Sequence, residues 1–416
     1  MPPENDQPAR AAAEAVARRS YGKLVAFLAA RTRDVAGAED ALAEAFAAAL
    51  VDWPASQIPT SPEAWLMAVA RRKMIDAARR RRSHEDAAGH LRLMQEELEA
   101  AARETLIPDQ RLLLMFACAH PAIDPGIRAP MILQTVLGFD AATIASAFLV
   151  SPATMGQRLV RAKAKIKQAG IPFRLPERAD LGERLASVLS AIYTAFSEGW
   201  SDPAGTEFRR RNLAEEAIWL GRLVASLLPQ EPEALGLLAL MLHAEARRGA
   251  RRNPQGEYVA LADQDPQLWN SQMIEEAEAL LFGASRMGAI GRYQLEAAVQ
   301  SAHVVRRLTG KTDRAAIERL YDALAAIIDS PVVAINRAIA IAETRGPAAG
   351  LAALEALAPD ARLAEYQPYW AARAGLLARS GERDAAEEAY ERAIGLEADP
   401  AVRDFLQRRR AELREQ

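Results

Sequence analysis

Residues 138–163 read GFDAATIASAFLVSPATMGQRLVRAK, and the spacing within this stretch predicts two helices joined by a tight turn. Ile144, Ala145 and Phe148 recur at helical intervals and face a core from the first helix. Leu149 and Val150 lead into the turn. Ser151 is placed to cap the second helix, with Pro152 at its first position. Met155, Leu159 and Ala162 then fall on a buried side, which leaves Gln157, Arg158, Arg161 and Lys165 outward. A helix-turn-helix offers such a second helix to a major groove. There Gln157 can read adenine and an arginine can read guanine. Lys163, Lys165 and Lys167 suit phosphates, which add affinity without specifying sequence. An ordinary helical hairpin would show the same spacing and is the competing reading.

The same period extends outward through most of the chain. Ala, Leu, Glu and Arg recur at helical spacing, and alternating Val/Ile/Thr runs bounded by Gly turns do not occur, so the expected class is all-α. The 416 residues are half hydrophobic and 26% charged, enough for two or three packed domains and too balanced for disorder. One cysteine excludes a disulfide framework and a four-thiolate zinc site. Ala141 to Gln157, uncharged but short and carrying Pro152, is no membrane span. The first residues, with Glu4 and Asp6 and no apolar run behind them, do not read as a signal peptide. A cytoplasmic protein without membrane contact is expected.

The formal charge of −3 is a sum of opposites. Residues 1–178 hold 24 basic and 20 acidic side chains, and residues 179–416 hold 28 and 35. Basic charge is clumped at Arg71–Arg82 and at Arg158–Arg178, each with seven basic residues and one acid. That pattern points to a polyanion-binding front and a different task behind. Four blocks follow: helical residues 11–82; a polar, acidic linker at 83–108 with some helical tendency around Leu91 to Leu98; helical residues 109–170; and, after Gly170, Pro172 and Pro176, a helical block over 181–416. In the last block Trp370, Ala374, Leu377, Gly381, Ala386, Tyr390 and Ala393 sit at tetratricopeptide-repeat spacings. A weaker copy upstream contains Ala338, Ile341, Gly350, Leu354 and Leu357.

Within the first block, Pro62 to Arg80 reads as one helix capped by Ser61, with Trp65, Leu66, Val69 and Ile75 as its apolar stripe and Arg72, Arg79 and Arg80 turned away. A solvated basic helix is the plain alternative. Upstream, Asp40 and Glu44 stand one turn apart on an exposed face while Leu42 and Phe46 point inward. Without a second catalytic group, this pair suits a basic partner better than acid–base chemistry.

The order of these pieces resembles an RNA polymerase sigma factor of the extracytoplasmic-function type: an acidic–apolar helix, an Ala-Trp-Leu helix ending in arginines, an acidic linker, then a helix-turn-helix. The resemblance implies that Glu39, Asp40 and Glu44 contact the polymerase clamp and that the acidic linker threads into the polymerase's nucleic-acid channel. It also implies that the loop from Val51 to Thr60 and the following helix melt and read the minus-ten element, with Arg71, Arg72, Lys73, Arg79 and Arg80 as its basic residues. Gly156, Gln157, Val160 and Arg161 occupy the groove-facing positions of the minus-thirty-five reader, and Ser151, Thr154, Arg158, Lys163 and Lys165 complete that surface. A basic residue is common where this chain has Gly156, so base preference does not carry across. The stretches Arg111–Pro121, Ala191–Trp200 and Leu240–Arg247 resemble the subgroup with a C-terminal tetratricopeptide-like extension. Expected partners are therefore core RNA polymerase and promoter DNA, plus a protein or peptide on the extension.

No catalysis, cofactor or metal is expected. Cys118 and His120 alone make a poor metal site, and His243, Glu245 and His303 are the best residues an enzymatic reading could use. A duplex-DNA regulator that never engages polymerase is the nearer rival.

Overall fold

The computed structural model describes residues 6–81, 109–148, 150–200, 208–357 and 363–415. The acidic linker lies outside them. Among the described residues every regular element is helical, and one isolated bridge, Arg252 with Tyr258, is the extent of β pairing. The chain divides into two compact units, Met1–Ala195 and Phe196–Gln416.

The first unit begins with α1 (Asp6–Thr32), α2 (Val35–Ser56) and α3 (Pro62–Arg81), packed on one another. Asp34 starts α2 by accepting a 2.9 Å hydrogen bond from the Gly37 N–H, which satisfies an otherwise orphaned donor. Val35, Ala38, Leu42, Ala45, Ala49 and Trp53 form the buried stripe of α2, and small alanines there let α1 and α3 approach. Trp53 is fully buried and meets the half-buried Trp65 of α3 edge-on, centroids 5.6 Å apart.

The second helical block of this unit contains α4 (Arg111–Cys118), α5 (Pro125–Thr135), α6 (Ala141–Ala147), α7 (Pro152–Gln168) and α8 (Arg178–Trp200). It does not stand apart from the first block. Helix α1 packs on α4 and α5, and α2 packs on α7. The Arg184 guanidinium on α8 donates to the Phe116 carbonyl, and Glu183 pairs with the buried Arg128 at 2.5 Å. The start of α8 is thereby part of the first unit, and the unit boundary falls inside that helix rather than near Pro176.

The second unit is a series of helical pairs: α9 (Phe208–Leu227), α10 (Pro232–Ala246), α11 (Ser271–Ser285), α12 (Arg292–Val304), α13 (Arg306–Thr309), α14 (Arg314–Ile327), α15 (Pro331–Arg345), α16 (Pro347–Glu355), α17 (Gln367–Ser380), α18 (Arg383–Leu396) and α19 (Pro400–Glu415). Between α10 and α11 the chain is largely irregular, with three short 3-10 turns that the helical pattern did not announce. The α17–α18 hairpin buries Ala374, Leu377, Ala386, Tyr390 and Ala393 as its spacing predicts. Trp370 packs around the pair. It lies at the edge of this core, donates its indole N–H to the Ala364 carbonyl at 3.0 Å, and leaves the buried position to Tyr369. Gly381 ends α17 at φ 82°, the left-handed conformation that a residue with a Cβ resists. No helix of the described residues is long and apolar enough to cross a membrane.

Candidate polymerase and nucleic-acid interface

Helix α7 carries the minus-thirty-five candidates. Ser151 caps it, accepting from the Thr154 N–H at 3.2 Å, and Pro152 takes the first turn. Met155, Leu159, Ala162 and Ile166 are buried at i, i+4, i+7 and i+11, so one helical face is committed to the core. The opposite face presents Gln157, Arg158, Val160, Arg161 and Lys165, with Ser151 and Thr154 exposed at its entry. Val160 is 68% exposed, an apolar side chain among polar ones of the kind that meets a thymine methyl. Asp140 fixes the preceding helix by accepting from the Thr143 and Ala142 N–H groups and the Thr143 hydroxyl, and these bonds hold its carboxyl below the usual range.

Gly156 is half-buried, and a Cβ built on it meets nothing within 4 Å. Among the described residues, no packing demands glycine there. Gly156→Ala is expected to stabilise the protein by up to about 1 kcal/mol through helix propensity alone. A thermal melt checks this, and a lower midpoint would show a packing or backbone role for Gly156.

The polymerase-facing candidates lie on α2. Asp40 and Glu44 are exposed, and Glu44 pairs with Lys73 of α3 at 3.0 Å in a solvent-accessible position. Glu39 differs. Its carboxylate is only 14% exposed and lies 2.5 Å from the ammonium of Lys163, itself 11% exposed, on α7. Burial pushes the Glu39 carboxyl up, and Lys163 pulls it back down. Two residues assigned to different partners thus occupy one another. A second pair joins Lys167 to Asp34, the cap of α2. The hydroxyl of Tyr21 is raised in the same neighbourhood, by burial first and then by Glu39 and Asp40.

Two minus-ten expectations need correction. Arg71 does not face outward: it is 8% exposed, with its guanidinium 5.3 Å from the Phe27 ring centroid. The stripe of α3 is rotated accordingly, with Leu66, Met67, Ala70, Arg71 and Met74 buried and Val69 and Ile75 only half-buried. Residues Val51 to Ser56 are not loop but the last turns of α2, which continue through Pro54 because Trp53 anchors them in the core. Leu50, Val51 and Ile58 are exposed apolar side chains near that end. Gln57 closes the helix at φ 76° and ψ 151°, a conformation that costs a non-glycine residue on the order of 1–3 kcal/mol. Arg72 is exposed, and Lys73 is half-buried in its pair with Glu44. Arg79 and Arg80 fall in the last turn of α3, with their side chains outside the described residues.

Cys118 and His120 serve local structure. The Cys118 thiol is buried 3.6 Å from the Thr135 hydroxyl, and burial pushes it up to about 12. His120 accepts from the Ala122 N–H through Nδ1 at 3.1 Å.

Comparison with known proteins bears on the first unit most directly. Residues 16–84 match the family described as Sigma-70 region 2, which covers most of α1 and all of α2 and α3. Residues 184–285 match a family of unknown function (DUF6596). An uncharacterized protein of Rhizobium meliloti (strain 1021) is 40% identical over 375 residues, 89% of this chain and 88% of its own length. No solved structure matches the chain. The chain belongs to the family of this Rhizobium protein, and the sigma-70 region 2 at its N-terminal end supports a sigma factor, with RNA polymerase binding and promoter recognition.

Proposed function

We propose that the protein is a dissociable initiation subunit of the extracytoplasmic-function type, acting without catalysis of its own. The observation that carries this reading is the two-faced α7. It buries an apolar stripe and exposes Gln157, Val160 and Arg161, on a chain that also has a sigma-70 region 2. In this account Asp40 and Glu44 meet the polymerase clamp, joined by Glu39 once it is released from Lys163. Arg72, Lys73, Arg79 and Arg80 hold the displaced strand at the minus-ten element. Gln157, Val160 and Arg161 read bases of the minus-thirty-five element, while Arg158, Lys163 and Lys165 contact phosphates. Ser151 and Thr154 add short hydroxyl donors at the helix entry, and Gly156 lets the backbone approach the groove. The C-terminal hairpins, as a tetratricopeptide-like domain, take a protein or peptide partner and regulate the first unit.

Size-exclusion chromatography of the full chain with core RNA polymerase tests the first part. A stoichiometric complex is expected, and two separate peaks at micromolar concentrations would reject it. Regulation is tested by ending the chain after Trp200, so that the α8 contacts to Phe116 and Arg128 survive. Promoter activity that rises or vanishes in the truncated protein assigns inhibition or assistance to the second unit, and unchanged activity removes it from regulation.

A further inference from the structure

We propose that the second unit holds a binding site for a small, multiply charged oxyanion, formed where Arg247 and Arg251, just after α10, meet Arg306 of α13. The site goes beyond the sigma reading and does not depend on it. Local packing brings the three residues together. The 3-10 turn Arg248–Ala250 follows α10 and packs on the turn Pro266–Leu268, which in turn packs on α13. Trp269, 3% exposed, shares an apolar cluster with Ala246, Ala250 and Val304, and the Arg306 guanidinium lies 5.3 Å from its ring centroid. Arg251 stacks on the Trp200 ring, 3.8 Å from its centroid. Arg247 feels both of the other arginines. Burial first, then Arg251 and Arg306, push its guanidinium down to about 10, with Tyr258 opposing.

Their hydrogen-bond partners are neutral. Arg247, 8% exposed, donates to the Gln300 side-chain oxygen at 2.5 Å and to the His243 carbonyl at 3.3 Å. Arg251 donates to the Trp200 carbonyl at 3.1 Å, and Arg306 to the Ala262 and Gln264 carbonyls at 2.6 and 2.7 Å. Among the described residues none of the three pairs with a carboxylate. The acids nearby are committed elsewhere, Glu245 to Arg248 and Asp399 to Arg252. A carbonyl satisfies a donor but leaves the charge uncompensated, and such a charge is costly to bury. The carboxyl end of α10 offsets only about half a charge. Holding the irregular segment explains the carbonyl bonds but not the cations, because a neutral amide side chain donates to a carbonyl as well. The indole N–H groups of Trp200 and Trp269 and the Nη2 group of Arg248 are also buried with no partner among the described residues. The Oε1 atom of Gln264 is left over beside them, so donors predominate. Guanidinium forks match phosphate or carboxylate oxygens in pairs. Arg251 and Arg306 are half-buried and accessible to a ligand from solvent. Three positive charges in one place favour an anion of two or more negative charges over chloride.

Isothermal titration calorimetry of the full chain, at fixed ionic strength in chloride, tests this with pyrophosphate and citrate as probes, one phosphate and one carboxylate source of the same chemistry. Saturable binding tighter than about 1 mM is expected for at least one of them, and the tighter probe assigns the source. Arg251→Gln and Arg306→Gln each keep a donor for the carbonyls and remove one charge. Each should weaken binding at least about tenfold, the loss expected of one charge-assisted hydrogen bond. Arg319→Gln, at an exposed arginine of α14 outside the cluster, should leave binding unchanged. A second measurement needs no variant. Phenylglyoxal modification of the wild-type chain, read by peptide mass spectrometry, should show Arg251 and Arg306 protected by the bound probe and Arg319 not protected. Three results would overturn the site: no saturable binding of either probe within that limit, an equal loss in Arg319→Gln, or binding that leaves Arg251 and Arg306 open to modification.

Discussion

Reversing the two exposed carboxylates of α2, Asp40→Lys with Glu44→Lys, is expected to weaken binding to core RNA polymerase by at least about 100-fold while leaving the fold intact. Both side chains face solvent, and among the described residues the ion pair given up is that of Glu44 with Lys73, whose side chains are 54% and 42% exposed. A surface pair of this kind contributes at most about 1 kcal/mol. At a protein interface the balance differs. Each reversal replaces an attraction with a like-charge clash, and a few kcal/mol from two such sites amounts to two or more decades in affinity. Fluorescence anisotropy of the labelled chain titrated with core polymerase measures the loss, and a thermal melt confirms the fold. Unchanged affinity would move the polymerase contact away from α2.

Acid should destabilise the second unit. His243 on α10 has no exposed surface, and burial together with the neighbouring Arg247 pushes it down to about 4. In the unfolded chain it titrates near 6.5. Between those values the unfolded state binds the extra proton, so the stability from neutral His243 is complete above about pH 6.5 and is lost as pH falls towards 4. At pH 5 this loss amounts to about 2 kcal/mol for His243 alone. His303 on α12, also lowered to about 4 by burial and by Arg247 and Arg306, acts in the same direction with a smaller effect because it is only half-buried. One neighbour opposes the trend. Oε1 of Glu278 lies 3.3 Å from Nε2 of His243, without hydrogen-bond geometry, and would attract a protonated ring. Glu278→Gln should therefore steepen the loss. His243→Leu should flatten it, since among the described residues neither ring nitrogen has a hydrogen-bond partner to forfeit. Urea midpoints at pH 7.5 and pH 5 decide. Equal midpoints in the wild-type protein, or the same fall in His243→Leu, would contradict the assignment.

The features legible beforehand were local ones. Helix α7 announced itself because its cap, its first-turn proline and its buried Met155, Leu159 and Ala162 all lie within a dozen residues. The α17–α18 hairpin was readable for the same reason. Helix α3 was harder. Its Ala-, Met- and Arg-rich sequence offers two plausible inner faces, and Phe27 on α1 selects the one containing Arg71. An arginine can bury its stem and stack its guanidinium on a ring, so its charge does not reveal its burial. The Glu39–Lys163 pair spans 124 residues and has no local signature at all. What distinguished Glu39 from Asp40 and Glu44 was its angular position on α2, next to the buried Val35, Ala38 and Leu42, a distinction visible only once α7 is in place. The irregular segment between α10 and α11 escaped for a different reason. Arg251 and Arg306 hold it through the Trp200, Ala262 and Gln264 carbonyls, contacts no periodicity encodes.

Run-off transcription from fragmented genomic DNA by core polymerase alone and with the full chain added, followed by mapping of the start sites, tests the sigma-factor function most directly. Addition of the chain should create a new, limited set of start sites that share two elements about 25 base pairs apart. Gln157→Ala and Arg161→Ala should remove transcription from those sites. Transcripts identical with and without the chain, or start sites indifferent to α7, would contradict it.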